Sequence, residues 1–161
     1  MSKRDILMEV ENVSVTFGSG SSTVEAVKKC SLTVHAGEPI GIVGESGAGK
    51  STLTRILVGM EKPTSGIFKF KNQDVWNSDE DFKHEFRRSV QMVLQNPRSS
   101  FDPRMTIGQS LLQPLKGLKI GGNHQARINE VLGQVGLGQD ALKKYPYEFS
   151  GGQLQRVAIA R

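Results

Sequence analysis

The octapeptide GESGAGKS, Gly44 to Ser51, matches G-x-x-x-x-G-K-[ST] at every fixed position. In a chain of this composition such a match arises by chance about 2% of the time. The strand-like PIGIV before it and the helix-like STLTRILVGM after it make chance a poorer account still. The residue types suit one chemistry. Gly44, Gly47 and Gly49 let the backbone curl so that the N–H groups of Glu45, Ser46, Ala48 and their neighbours point inward as an anion nest. A helix starting near Gly49 adds the positive end of its dipole. Lys50 supplies a compact charge for β- and γ-phosphates, and the Ser51 hydroxyl, followed by Thr52, is placed to coordinate Mg²⁺. The pattern implies a nucleoside triphosphate site; the plainer alternative is a glycine-rich turn before an unrelated helix.

The last residues, YEFSGGQLQRVAIAR, hold a second feature of this kind. Ser150 lies three before Gln153, the capping-box spacing, and Leu154, Val157 and Ala158 follow at helical intervals. Gly151 and Gly152 permit close backbone approach to an anion. No glycine, asparagine or proline closes this helix within the sequence.

The elements that must position these residues follow from periodicity. Val13, Val15 and Phe17, then Val24 and Ala26, then Cys30, Leu32 and Val34 alternate as antiparallel strands separated by the GSGSS turn and followed by HAGE. PIGIV reads as the strand entering the phosphate loop, with Leu53, Ile56, Leu57 and Met60 on one face of the helix leaving it. SGIFKFKNQDV predicts a further strand pair with a turn at 72–74, SDEDF (78–82) a solvated loop, and VQMVLQ (90–95) a short buried strand. From Thr106, three before Gln109, the remainder is helical: TIGQSLLQPLK, kinked or ended by Pro114, then HQARINEVLGQVGL, then a short segment at 140–144.

Composition sets the bounds. The 161 residues are 37% hydrophobic and 23% charged, which suits one globular domain rather than disorder. No apolar run approaches the roughly 20 residues that span a bilayer, and the N-terminus lacks a signal-peptide core. The net charge of +5 comes from basic residues scattered in pairs such as Lys28-Lys29 and Arg87-Arg88. That pattern favours a solvated face or an acidic protein partner over nucleic acid. Cys30 is the only cysteine, so no internal disulfide forms, and its alternation with Leu32 reads as a strand residue rather than a reactive thiol. On its own, Phe17 reads as a core aromatic, and Gln95 as a polar residue ending a strand.

With the phosphate loop, SGGQ about 100 residues later and a glutamine ending the strand between them, the sequence resembles the nucleotide-binding subunits of ABC transporters along essentially its whole length. The resemblance implies an α/β P-loop NTPase core with an antiparallel β subdomain and a helical subdomain. On this reading about 1–95 are the β subdomain and Walker A core, and about 96–161 the Q-loop, helical subdomain and start of the signature helix. It implies that Phe17 stacks on adenine and that Gln95 is the Q-loop glutamine, sensing Mg²⁺ and the attacking water. Ser150, Gly151, Gly152 and Gln153 become the signature, which contacts ATP bound by the Walker A of a second, head-to-tail subunit. Phe149 stands where the family has leucine. Implied partners are that second ATPase subunit, transmembrane permease subunits and, through them, a substrate-binding protein, with the chain at the cytoplasmic face of the membrane.

QNPRSSFDPRMTIGQSL narrows the resemblance to importers of oligopeptides, dipeptides or nickel, which carry a Q-loop close to Gln-Asp-Pro-x-x-Ser-Leu-Asn-Pro-Arg-Met-x-x-Gly. Asn96, Phe101 and Asp102 differ from it. After the signature the family continues to a Walker B aspartate, a catalytic glutamate and a switch histidine. His35, His84 and His124 all precede the signature, so the expectation is a domain cut before its catalytic half, unable by itself to hydrolyse ATP. Runner-up readings are a non-transport ABC protein of repair or translation, and a non-hydrolysing remnant; a P-loop kinase fails on the signature.

Overall fold

The computed structural model describes residues 5–161, and the chain divides after Gln91 into two compact units. In the first, β1 (Ile6–Phe17) and β2 (Val24–His35) form a long antiparallel hairpin. β3 (Ser65–Phe70) pairs with the other edge of β1, and β4 (Gln73–Asp74) follows β3, giving the order β2-β1-β3-β4. Twelve-residue strands seldom run regularly, and here the β1–β2 register shifts around Val13. Asn12 and Lys29 have φ of 48° and 41° at these irregularities. The freed amides are answered by hydroxyls: Asn12 N–H donates to Ser31 Oγ and Lys29 N–H to Ser14 Oγ, both at 3.0 Å.

One face of this sheet buries Val10, Val13, Val15, Phe68 and Phe70. Against it lie α1 (Lys50–Leu57), through Ile56, and α2 (Glu80–Ser89), through Phe86. The Phe86 ring stands edge-on to Phe68 and Phe70, with centroids 5.8 and 5.3 Å apart. Such aromatic pairs contribute about 0.5–1.5 kcal/mol beyond their area.

Several expectations are corrected here. SDEDF is not a loop: Asp79 accepts from Phe82 N–H at 2.8 Å and starts α2, whose acidic first turn and Arg87–Arg88 last turn both suit the helix dipole. The hairpin turn is at Lys71 and Asn72, with φ of 48° and 64°, rather than 72–74. Asp74 instead accepts from the N–H of Trp76 and Asn77 at 2.8 and 3.1 Å. Met60 leaves the helix face, because α1 ends at Leu57 and Gly59 (φ 70°) reverses the chain; Met60 is 66% exposed.

The two apolar runs expected as strands, PIGIV and VQMVLQ, take no place in a sheet. Val43 is 96% and Val93 52% exposed. A strand exists only where a neighbour answers its N–H and C=O groups, and among the described residues none runs beside either segment. Their β-branched content records the environment that such runs fit, a sheet covered on both faces.

The second unit is helical. α3 (Ile107–Gly117), α4 (His124–Gln134) and α5 (Gly151–Ala160) pack with short 3₁₀ turns at Pro97–Ser100, Gln139–Lys143 and Pro146–Glu148. Thr106 and Gln109 cap α3 reciprocally at 2.8 and 3.3 Å. Pro114 does not end α3, which continues to Gly117, although proline offers no N–H to the Ser110 carbonyl. α4 starts on the Asn123 side chain and closes with Gly136 at φ 70° and Leu137 N–H donating to Leu132 O at 2.9 Å. Phe101, Ile107, Leu132, Phe149, Leu154 and Val157 form its buried centre. Among the described residues no helix is long and apolar enough to cross a membrane.

Because Phe68 is fully buried between strand and helix, Phe68→Ala should destabilise the chain by about 3–5 kcal/mol. Ile67→Thr, one residue away on the 40%-exposed face, should stay within about 0.5 kcal/mol. Denaturant unfolding of the two variants measures both; equal losses would contradict the assigned core face.

Candidate nucleotide-binding site

Residues 44–48 form an exposed loop, and α1 begins at Lys50 on Gly49, which sits in the left-handed region at φ 79°. Gly49 is fixed by contact as well as by angle: a Cβ there would stand 2.1 Å from the carbonyl oxygen of Ala26 on β2. Gly47 is also left-handed, at φ 84°, but nothing lies within 4 Å of where its Cβ would be. The loop is braced by Ala48 N–H donating to Glu45 O at 3.2 Å. The first bond of the helix ladder is Leu53 N–H to Gly49 O at 2.9 Å. The amides of Lys50, Ser51 and Thr52 therefore precede the ladder, and no side chain caps them. That is the donor set an anion meets at a helix start.

Lys50 Nζ donates to the loop's own carbonyls, Gly44 O at 2.7 Å and Glu45 O at 2.6 Å. The ammonium thus lies across the loop mouth on neutral acceptors, which a phosphate oxygen, being charged, outcompetes. Ser51 is exposed in the first turn. A hydroxyl oxygen is a hard donor that suits Mg²⁺, so the residues present fit a magnesium–triphosphate pair. A cavity of about 370 Å³ lies between β2 and the loop, lined by Ala26, Cys30, Val43, Gly49 and Lys50 among others. Cys30, half-buried, packs against the sheet core as a strand residue should.

Phe17 ends β1 and pairs with Val24, two residues before Ala26. The strand end that carries Phe17 therefore lies next to the part of β2 on which Gly49 rests. Phe17 is 42% exposed, so its ring is available to stack and is not the core aromatic that periodicity alone suggests.

The remaining residues singled out in the sequence lie in the helical unit. Gln95 is exposed, just before the Pro97–Ser100 turn. That turn is capped by Asn96, whose Oδ1 accepts from Arg98 N–H at 3.1 Å. An aspartate there would offer the same oxygen, which explains how the departure is tolerated. Asp102 accepts from the Arg104 backbone N–H at 2.9 Å and from its guanidinium at 2.9 and 3.0 Å. Those bonds hold its carboxyl at about 2, well below the usual carboxylate range. Phe101 and Phe149, the other departures, fill the core of this unit.

Ser150 caps α5, its Oγ accepting from Gln153 N–H at 3.2 Å while Gln153 Oε1 accepts from Ser150 N–H at 3.1 Å. The hydroxyl proton is left to donate. The Gly151 and Gly152 amides lie ahead of the helix ladder, and a Cβ at either glycine would meet nothing within 4 Å. The Ala26 carbonyl contact and the Lys50 side chain turned onto its own loop have no local sequence pattern that announces them. The Asn96-Pro97 start of the 3₁₀ turn was readable as a cap followed by proline.

The contrast between the two loop glycines is testable. Gly47→Ala should cost only about 1–2 kcal/mol, the strain of a side chain in the left-handed region. Gly49→Ala should cost more and displace the start of α1, because the added carbon overlaps the Ala26 carbonyl. Thermal unfolding of the two variants decides it; equal losses would remove the β2 contact as the anchor.

Comparison with known proteins places this geometry. The oligopeptide transport ATP-binding protein OppF of Lactococcus lactis is 44% identical over 147 residues, covering 90% of this chain and 46% of its own. The di/tripeptide transport ATP-binding protein DppF of Pseudomonas aeruginosa is 40% identical over 163 residues, covering 100% and 50%. The chain thus spans about half the length of the curated relatives it matches. Among solved structures, the dimeric ATP-binding cassette MJ0796 superposes with a TM-score of 0.81 at 31% identity, covering 96% of this chain and 68% of its own. A second structure of that cassette, a dimer bound to ADP and Pi, gives 0.79 at the same identity. The ABC transporter family profile matches residues 27–161. The chain belongs to the ABC transporter family and has the fold of its ATP-binding cassettes.

Proposed function

We propose that these 161 residues form part of an ATP-binding subunit that powers import of peptides across the cytoplasmic membrane. The observation that carries the reading is the Gly44–Ser51 loop. It has three uncapped amides at the start of α1 and an ammonium resting on two carbonyls that a phosphate would displace. Gly44, Glu45, Ser46, Gly47, Ala48 and Gly49 wrap the phosphates. Lys50 offsets their charge, Thr52 adds its amide, and Phe17 stacks on the base. Ser51 and Gln95 offer oxygens to Mg²⁺, which when bound supplies charge neutralisation across the terminal phosphates.

Ser150 to Gln153 serve the nucleotide of a second subunit. They carry no cation of their own, and a helix start with two bare glycines and a free hydroxyl proton complements phosphate already held by a lysine elsewhere. The solved MJ0796 cassettes, which are dimers, support such pairing. The peptide substrate is supported by the printed activities of the relatives and by the wording of the Q-loop. Hydrolysis belongs to the whole protein, which would sit at the membrane's cytoplasmic face against transmembrane permease subunits and, through them, serve a substrate-binding protein.

Lys50→Ala should weaken Mg·ATP affinity at least ten-fold, the factor that about 1.4 kcal/mol makes. A charge-assisted contact to phosphate contributes about that much or more. Equilibrium titration with a fluorescent ATP analogue measures it, with unfolding transitions recorded to show that the fold is kept. Unchanged affinity in a folded Lys50→Ala protein would overturn the assignment.

A further inference from the structure

One side chain joins the turn after Gln95 to a point ten residues along from Gly151, just after α5. The Arg161 guanidinium lies over the Phe101 ring, 5.4 Å from its centroid, and Nη1 donates to the Ser100 carbonyl oxygen. Phe101 is itself buried in the same core as Leu154 and Val157 of α5. The Pro97–Ser100 turn is therefore held from two sides, by apolar packing beneath and by the cation above. The peptide-importer pattern has leucine at the position of Phe101, and leucine offers no π face. The stack exists because of this chain's own departure from that pattern.

We propose that Arg161 is a positioning residue that ties the Gln95 turn to α5, so that a shift of Gln95 is delivered to Ser150, Gly151 and Gly152. From Gly151 to Ala160 the helix rises about 15 Å, and a helical segment of that length transmits a displacement along its axis. A displacement imposed at its C-terminal end thus appears at the N-terminal end, where the bare glycine amides lie. Gln95 stands two residues before the clamped turn, and Asn96 and Pro97 between them are stiffened by the cap and the proline ring. A group that contacts Gln95 thereby biases the orientation of the signature without touching it. The inference rests on the nucleotide reading above for what Gln95 and Ser150 contact; the mechanical tie stands on the geometry alone.

The test compares wild type, Phe101→Leu, Arg161→Ala, Arg161→Lys and the Phe101→Leu/Arg161→Ala double variant in the full-length subunit. Two quantities are read: amide hydrogen exchange at 98–101 and at Gln153 and Leu154, whose N–H groups bond to Ser150, and kcat and KM for ATP. Losing the stack should raise exchange at both segments together by about two- to five-fold. It should lower kcat by a similar factor and leave KM unchanged. The double variant should be no worse than Arg161→Ala alone, and Arg161→Lys should restore most of the loss.

Faster exchange at 98–101 with Gln153 and Leu154 unmoved would overturn the proposal. So would additive losses in the double variant, or a rise in KM with kcat unchanged. If Arg161→Ala fails to fold, Phe101→Leu decides the matter by itself, since it keeps an apolar side chain in the core and removes only the π face. If the wild-type subunit neither binds nor turns over ATP, the nucleotide reading fails, and the exchange data still decide the tie.

Discussion

The phosphate loop depends on the contact between Gly49 and the carbonyl of Ala26. A residue with any side chain at 49 would push the start of α1 off β2, and the three uncapped amides would go with it. The contact also links function to stability. α1 sends Ile56 into the core that holds Phe68 and Phe86, while β2 pairs with the strand that ends at Phe17. The sheet that contributes most of this unit's apolar burial thus also sets where the loop opens and where the nearest exposed aromatic ring stands.

The two anion-facing helix starts differ in a way that fits separate tasks. At α1 a glycine in the left-handed region leaves the first-turn amides bare, and the Lys50 ammonium is parked on neutral carbonyls 2.6 and 2.7 Å away. Binding there exchanges two neutral acceptors for charged ones, which form the stronger hydrogen bonds. At α5 the cap is a closed Ser150–Gln153 box, so the start is rigid before anything binds, and it offers directed donors without charge. The first suits holding a triphosphate; the second suits closing over one already held.

What was legible in the sequence was mostly local. The loop motif and the Thr106–Gln109 and Ser150–Gln153 boxes each depend on residues within a few positions of one another, and the two boxes cap helices where their spacing puts them; the β1–β2 hairpin runs longer than the alternation over 13–17 and 24–34 implies. What was illegible needs a partner. PIGIV and VQMVLQ have strand composition but no neighbour among the described residues, so they stay unpaired. Helix α2 is hidden by its polarity: SDEDF reads as solvated in isolation, whereas Asp79 as cap, acids in the first turn and Phe82 four residues before Phe86 together spell a helix start. Alternation makes Phe17 a core aromatic, yet it is 42% exposed, because a β period assigns a face but not whether that face is covered.

The central claim is that this chain's phosphate loop holds its own nucleotide while its signature serves a partner's. It is tested most directly by mixing two full-length subunits, one carrying Lys50→Ala and the other Ser150→Arg, with crosslinking to show that mixed dimers form. If the signature acts across the dimer, each variant alone is inactive. The mixture then regains ATP turnover, because one composite site in every mixed dimer pairs an intact Lys50 with an intact Ser150. Mixed dimers that form and show no turnover above either variant alone would contradict the account.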